Sequence, residues 1–299
     1  MPHVEAEHVA ARPVEAGELV ETAFAKINLA LHVRERRADG YHALESLFVF
    51  TELGDRLTGR IRADGEIRLE MDGPFGPLLD GGPDNLVIRA ARALQDHLGD
   101  SPGADLRLTK ILPVASGIGG GSADAAAALR LLMRLWNAPV APQLLERIAL
   151  SLGSDVPACL GSIPQMVRGR GEILQPQVME GLSAMPILLV NPGVALSTAQ
   201  VFGGWDRRDR GPLAAEGLEQ LISDGRNDLE PPAMAAAPVI ADVLAALKTC
   251  GGLRLARMSG SGATCFALFD TDRQMAEAAA ALRAARNGWW VAETRIRAA

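Results

Sequence analysis

The chain has 299 residues, a net charge of −6 and 48% hydrophobic residues, as expected of a globular protein with one large or two modest domains. No apolar run reaches the roughly 18 residues that span a membrane, and residues 1–19 lack the basic start and apolar stretch of a secretory signal. Three scattered cysteines and five histidines show no CxxC, HxH or HExxH spacing. We therefore expect a cytoplasmic protein with a flexible tail over residues 1–19, no membrane contact, no disulfide framework and no metal-ligating residues.

Basic residues form two short blocks, Arg34–Arg37 and Arg207–Arg210, in an otherwise acidic chain. A nucleic-acid-binding domain usually carries a broad basic face, so we expect no nucleic-acid partner. A small-molecule substrate is favoured instead. If that molecule carries phosphate, backbone N–H groups and a few local side chains must neutralise its charge.

The first half of the chain mixes strand and helix patterns. Alternating apolar residues predict strands over Phe24–Arg34, Leu44–Glu52 and Asp105–Ile111. The predicted helices are Asp84–Leu98 with Asp84 as N-cap, Ser122 to about Trp136 with Ser122 as N-cap, and a third from Pro142 to near Gly153.

The second half has a different order of elements. The predicted strands are Ile187–Asn191, Leu253–Met258, Thr264–Phe269 and Trp289–Ile296, and the helices lie near Thr198–Phe202, Leu213–Ser223, Val239–Lys248 and Arg273–Ala285. Without the inserted helices, the order β-α-β-β-α-β is that of a split βαβ, ferredoxin-like unit. We expect an α/β (α+β) protein with two domains, residues 20–166 and 167–299.

A glycine-rich stretch, PVASGIGGGSADAA at Pro113–Ala126, follows a predicted strand and leads into a predicted helix. Glycine permits positive φ and close approach of an anion to the main chain, and N–H groups at a helix start attract phosphate. The alternative is a turn that binds nothing. The stretch lacks the GK[ST] ending of a Walker A loop and the distal acid of a dinucleotide fold.

This loop resembles the phosphate-binding motif of the kinases named for galactokinase, homoserine kinase, mevalonate kinase and phosphomevalonate kinase, the GHMP kinases. Further stretches are similar to the branch of that family that acts on a cytidine-capped substrate: AKINLALHVRERRADGYHALESLF at 25–48, LGSDVPACL at 152–160, NPGVALSTAQVF at 191–202, NDLEP at 227–231 and MSGSGATCF at 258–266. The resemblance covers about residues 22–296. It implies an ATP-dependent kinase that phosphorylates the 2-hydroxyl of cytidine diphosphate-linked methylerythritol, in the non-mevalonate isoprenoid pathway. Mg²⁺ is implied by the phosphoryl transfer.

The resemblance also assigns site residues. It places Lys26 beside the reacting hydroxyl and the γ-phosphate, and makes Asp155 the base that accepts the hydroxyl proton. The alternatives are a solvated strand lysine and an aspartate that caps the next helix. The implied ATP-binding residues are Pro113, Val114, Ala115, Ser116, Gly117, Ile118, Gly119, Gly120, Gly121 and Ser122.

The same resemblance places His42 against the cytosine edge and lets Tyr41 and Phe202 stack on the base. Asn28, two residues from Lys26 on the same strand face, could contact the substrate too.

Two features remain open at this stage. The SGSG stretch at 259–262 is either a plain hairpin turn or a turn that folds over the phosphate site. Asp124 either points away from the nucleotide or holds Mg²⁺ through water. The rival functions are a sister kinase for homoserine or mevalonate and a nucleotide-binding regulator without turnover, and we expect a monomer or a weak homodimer.

Overall fold

The structure is a computed structural model that describes residues 14–15, 17–99 and 101–298. Most of the predicted tail, residues 1–19, lies outside this range, and Leu19 already begins the first strand. None of the helices within the described ranges is long and apolar enough to cross a membrane.

The first domain is one sheet covered by helices. Its strands are β1 (Leu19–Arg36), β2 (His42–Arg62), β3 (Ile67–Asp72), β4 (Gly103–Thr109), β5 (Gln165–Gly169) and β6 (Ile173–Pro176). Its helices are α1 (Leu86–Leu98), α2 (Gly120–Leu135), α3 (Pro142–Leu152) and α4 (Val156–Gly161). The sheet order is β3-β4-β2-β5-β6, with β1 paired to β2. The apolar faces of the four helices form one core with this sheet.

The hairpin of β1 and β2 positions the first site residues. Its register shifts between Phe24 and Lys26 and again between Asn28 and Ala30. Bulges are common next to active sites because they re-aim side chains. Lys26 and Asn28 lie between these two irregularities, two residues apart and therefore on the same face of the strand.

The second domain contains the other four strands and five helices. They are β7 (Pro186–Asn191), α5 (Thr198–Gly203), α6 (Leu218–Asp224), α7 (Glu230–Ala236), α8 (Val239–Lys248), β8 (Leu253–Met258), β9 (Cys265–Phe269), α9 (Asp272–Ala285) and β10 (Trp290–Arg295). The sheet order is β10-β7-β9-β8, and all its pairs are antiparallel. β9 therefore lies between β7 and β8, the arrangement of a split βαβ unit.

A shared apolar layer joins the two domains. Ala25, Ile27 and Leu29 of β1 are buried in the same cluster as Phe266 and Leu268 of β9. Alternate residues of β1 therefore face the second sheet, and Lys26 and Asn28 lie on the opposite face.

Several predicted boundaries differ from the structure. The predicted domain boundary after residue 166 cuts through β5, which pairs with β2, so the first sheet ends only at Pro176. α1 is capped by Asn85, whose side chain accepts from the Val87 N–H at 2.9 Å, and not by Asp84. The predicted helix over Leu213–Ser223 begins only at Leu218, because Leu213 is buried in the inter-domain layer instead.

Candidate active site

The glycine-rich loop turns directly into α2. Gly119 is the N-cap, with the left-handed φ of 64°, and the helix begins at Gly120, so Ser122 lies in its first turn and is not the cap. A Cβ on Gly117, whose φ is 79°, would lie 2.4 Å from the Ser259 carbonyl oxygen. Only glycine fits there, because both the backbone angle and the close contact exclude a side chain.

The contact partner of Gly117 is the SGSG turn, which joins β8 to β9. The Ser259 hydroxyl donates to the Gly117 carbonyl at 3.0 Å. Asn227, from the NDLEP stretch, donates to the carbonyls of Met258 and Gly260, both at 2.8 Å. The turn is therefore a hairpin connection that also packs on the glycine-rich loop.

Lys26 and Asp155 form the central ion pair of the site. Lys26 Nζ lies 3.0 Å from Asp155 Oδ2, with Lys26 buried and the Asp155 side chain 30% exposed. The ammonium also donates to Asn28 Oδ1 at 2.9 Å and lies 4.5 Å from the centroid of the Phe48 ring. These contacts hold the lysine in one orientation, beside a carboxylate that solvent can reach.

Asp155 does not act as a side-chain cap of α4, which was the alternative role for this residue. Asp155 occupies the N-cap position of α4, yet its side chain forms no capping hydrogen bond. Its carboxylate is directed to Lys26 instead. The position serves to place an acid at the start of a short helix, next to the strand that carries the lysine.

Asn28 connects the ion pair to both domains. Its side-chain amide donates to Ser46 Oγ on β2 at 2.9 Å, and its backbone N–H donates to Ser259 Oγ at 3.1 Å. Asn28 thus spans the strand pair and the SGSG turn, which fixes the carbonyl that holds Lys26.

The ion pair opens into a cleft of about 840 Å³ between the domains. The cleft brings together Lys26, Asn28, Tyr41, His42, Asp155 and Phe202, with Ala115, Ser116, Gly117, Gly119, Gly120, Gly121 and Ser122 of the loop. Three of the ten predicted ATP-binding residues do not line it: Ile118 is a core residue, and Pro113 and Val114 line a separate groove.

One end of the cleft is aromatic. The His42 ring lies 5.0 Å from that of Phe202 and meets the Trp205 ring edge to face at 5.7 Å, centroid to centroid. Tyr41 is 59% exposed at the rim, where the Arg170 guanidinium lies 5.0 Å from its ring. Burial and the nearby Arg36 cation lower the pKa of His42. Its imidazole is therefore neutral at pH 7, with one nitrogen able to accept a hydrogen bond.

A second groove, of about 600 Å³, adjoins the glycine-rich loop. Phe75, Pro77, Val114 and Trp289 give it apolar walls, and Ala115 belongs to both cavities. A molecule with an apolar ring system and an anionic tail could lie with its ring in the groove and its tail along the loop.

Beneath the loop lies a buried cluster that sequence reasoning missed. Lys110 forms ion pairs with Asp55 and, at 2.6 Å, with Asp124. Asp55 also accepts from the backbone N–H groups of Ile111 and Leu112, at 2.6 and 2.9 Å. Asp124 therefore points away from the cleft. Its burial raises its pKa to about 7, with Asp55 adding to this effect and Lys110 opposing it.

Sequence reasoning also missed cleft residues outside the resembling motifs. Trp205 and Arg170 line the cleft, but an isolated tryptophan or arginine carries no spacing signal. The two basic blocks were a partial signal, since Arg36 and Arg207 come from them. Among the described residues, no group of three or more His, Cys, Asp or Glu side chains could hold a metal ion.

Comparisons with known proteins agree with this geometry. Residues 85–162 match the model of the GHMP kinases N terminal domain, and residues 211–287 match that of the GHMP kinases C terminal domain. The chain is 49% identical to the 4-diphosphocytidyl-2-C-methyl-D-erythritol kinase of Parvibaculum lavamentivorans, over 92% of this chain and 97% of that one. It is 50% identical to the enzyme of the same name from Rhizorhabdus wittichii, over 93% of this chain and 94% of that one.

A solved structure extends the agreement to the fold. The crystal structure of a 4-(cytidine 5'-diphospho)-2C-methyl-D-erythritol kinase superposes with a TM-score of 0.78 at 35% identity, covering 93% of this chain and 99% of that one. Sequence and fold thus match along both domains. The chain belongs to the 4-diphosphocytidyl-2-C-methyl-D-erythritol kinase family of GHMP kinases.

Proposed function

We propose that the protein transfers the γ-phosphoryl group of ATP to the 2-hydroxyl of 4-diphosphocytidyl-2-C-methyl-D-erythritol, in the non-mevalonate isoprenoid pathway. The observation that carries this proposal is the Lys26–Asp155 pair, 3.0 Å apart, in a cleft bordered by the glycine-rich loop. Mere nucleotide binding needs neither a positioned carboxylate nor a restrained ammonium. The reaction belongs in the cytoplasm, where reducing conditions suit the free thiols of Cys159, Cys250 and Cys265.

The chemical step uses the two charged groups in different ways. The substrate oxygen attacks the γ-phosphorus, the bond between that phosphorus and the β,γ-bridging oxygen breaks, and ADP leaves. Asp155 orients the hydroxyl and accepts its proton, while the Lys26 ammonium stabilises negative charge on the transferring group. The fixed position of Lys26 means that little reorganisation is needed during the reaction.

ATP fits the two cavities that meet at Ala115. Its phosphates lie at the N-terminus of α2, where Gly119 and Gly120 leave backbone N–H groups open to an anion. Its adenine lies in the apolar groove beside Phe75 and Val114. Mg²⁺ would come with the ATP, and its chemistry there would be to neutralise charge on the phosphates. Ser122 and Asp155 are two of the oxygen-bearing side chains that line the cleft and could contact the ion.

The second substrate lies with its base at the aromatic end. Cytosine stacks on Phe202 and Tyr41, and its exocyclic amino group donates to the neutral ring of His42. The geometry that supports this placement is the contact of His42 with Phe202, at 5.0 Å, within the same cleft as Lys26. The methylerythritol then reaches the ion pair.

A direct test is turnover by the purified protein. We expect ADP release and a new phosphomonoester signal in ³¹P NMR with the cytidine-capped substrate, and very poor turnover of uncapped methylerythritol phosphate, because remote binding energy also lowers the barrier. Better rates on homoserine or mevalonate would assign the chain to a sister activity. Binding of ATP without turnover of any of these would indicate a regulator.

Base recognition has its own test. A uridine-capped analogue presents a carbonyl where cytosine has a donor, and mismatched buried polar groups discriminate by up to about 10⁴–10⁵. His42→Ala should narrow the cytidine–uridine ratio of kcat/KM and leave ATP affinity unchanged. The exposed His97→Ala is the matched control and should keep the wild-type ratio. An unchanged ratio in His42→Ala would remove His42 from base recognition.

A further inference from the structure

Each of the two basic blocks of the sequence contributes one arginine to the lining of the cleft. Arg36, the last residue of β1, and Arg207, beyond α5, both line it, and Arg170 joins them from the end of β5. Among the described residues, none of these three guanidinium groups forms an ion pair or a side-chain hydrogen bond. Three unpaired cations in one cleft of an acidic protein indicate an anionic ligand.

The other charged groups of the second block are engaged elsewhere. Arg210 pairs with Asp206, and Asp209 pairs with Arg34 at 3.1 Å. Both acids of the segment are thus bound to other arginines. Arg207 is left without a partner, and its backbone has the left-handed φ of 61°, a conformation that costs a non-glycine residue energy.

All three arginines lie next to the aromatic end. Arg36 is the cross-strand partner of His42, and Arg170 lies over the Tyr41 ring. Arg207 follows two residues after Trp205, whose ring contacts that of His42. An anion directly attached to a nucleoside would therefore meet these guanidinium groups.

We propose that Arg36, Arg170 and Arg207 form a subsite for the diphosphate that links the cytidine to the methylerythritol. This inference rests on the proposed function. Guanidinium groups suit the task because their planar fork binds phosphate oxygens bidentately and stays charged. The subsite would neutralise the substrate's diphosphate, so that Lys26 remains free for the γ-phosphate of ATP.

Calorimetry can isolate the diphosphate from the rest of the substrate. With the ATP site saturated by a non-hydrolysable analogue and Mg²⁺, cytidine and cytidine 5′-diphosphate are titrated into wild type, Arg207→Ala and Arg208→Ala. Arg208 is the matched control, since it is exposed and does not line the cleft. We expect Arg207→Ala to lower the affinity for cytidine 5′-diphosphate by roughly five- to twentyfold, the effect of losing one partly solvated charged contact. Cytidine affinity should not change, and Arg208→Ala should match wild type for both ligands.

Kinetics supply the second readout. Arg207→Ala should lower kcat/KM for the capped substrate, mainly through a higher KM, and leave the KM for ATP near wild type, and Arg207→Lys should restore part of the loss. Equal affinities of the Arg207→Ala and Arg208→Ala variants for the diphosphate would overturn the subsite, even if the kinase activity is present. The diphosphate could also bind more tightly than cytidine, through Arg207, in a protein that shows no turnover. That outcome would support the subsite and refute the proposed function. Equal binding of cytidine and its diphosphate to wild type would also overturn the subsite.

Discussion

Two lysine–aspartate sites lie against neighbouring residues of the same loop. Lys26 packs on Gly119 and pairs with Asp155, whose side chain is 30% exposed to the cleft. Lys110 packs on Gly120 and pairs with Asp55 and Asp124, and all three side chains are buried. Both sites consist of lysine and aspartate side chains, but of the two only the Lys26–Asp155 site is open to a ligand.

Solvent access decides what each site can do. An open carboxylate can exchange protons with a substrate, and the neighbouring ammonium can interact with a phosphoryl group. A closed cluster can only hold the structure together, and it does so at a desolvation cost that leaves little net stabilisation. Lys110 fixes β2, β4 and the start of α2 to one another, which keeps the loop in place for the open pair.

The largest effect should come from the open pair. Asp155→Asn keeps the size and polarity of the side chain but removes the proton acceptor. We expect kcat to fall by roughly 10²–10⁴, the usual range for a positioned acid–base group. Because Asp155 makes no capping bond and its side chain is 30% exposed, the melting temperature should fall much less than in a variant that breaks the closed cluster. The exposed Asp96→Asn is the control, and near-normal kcat in Asp155→Asn would reject the assignment.

The closed cluster should respond in the opposite way. Lys110→Met leaves two buried carboxylates without their cation, which typically costs about 3–5 kcal/mol of unfolding free energy. Urea denaturation measures this loss, and the exposed Lys248→Met provides the comparison. Below the unfolding transition, kcat should remain within about tenfold of wild type. A stable Lys110→Met variant with no activity would place Lys110 in the chemistry and contradict the division of roles.

The two glycines offer a finer test of the same comparison. A Cβ on Gly119 would lie 3.0 Å from Lys26 Cε, and one on Gly120 would lie 3.0 Å from Lys110 Nζ. Gly119→Ala should therefore lower kcat by about tenfold, with added strain because its φ is 64°. Gly120→Ala should instead reduce the unfolding free energy by about 1–3 kcal/mol, as overpacking does. Steady-state kinetics and urea denaturation of both variants would show whether the two effects separate, and equal kinetic losses would show that they do not.

The direction of a Cβ at Gly120 cannot be read from the sequence. The glycine run predicted a phosphate site for the stretch as a whole, but a Cβ on Gly120 points into the Lys110 cluster. The sequence identified the loop because four glycines before a helix form a local pattern. It could not tell which glycine serves the ligand and which serves the core, because that depends on residues 55 and 110, far away in the chain.

The fold, like the glycine-rich loop, could be predicted only in part from the sequence. The bounds of β8 and α8 agree with the predictions because each has a clear period and clear ends. β5 and β6 were missed because they are only five and four residues long, and because β5 ends at a glycine, Gly169, with a second glycine, Gly171, before β6. β3, IRLEMD, alternates apolar and charged residues, so its signal was present and overlooked. β2 was cut short at Glu52, although its Gly54 only marks a close approach to Ala23 of β1.

The smallest effect concerns the pH dependence of the closed cluster. One lysine cannot neutralise two carboxylates, and Asp55 already has two backbone N–H donors. Asp124 is therefore the member whose charge is least compensated, and burial raises its pKa from the usual value of 3.8 to about 7. Between these values the folded state holds a proton that the unfolded state has released. Stability must then fall as pH rises, by at most about 1.4 kcal/mol per pH unit for one group.

Asp124→Asn removes this titration without changing the shape of the side chain. Other carboxylates also titrate in this range, so the informative quantity is the difference in unfolding free energy between wild type and variant. We expect wild type to lose stability relative to Asp124→Asn from about pH 4 to pH 7, with the difference constant above pH 7. Urea denaturation at half-unit pH steps measures it. A difference that does not vary with pH would mean that Asp124 stays ionised and that Lys110 compensates both carboxylates.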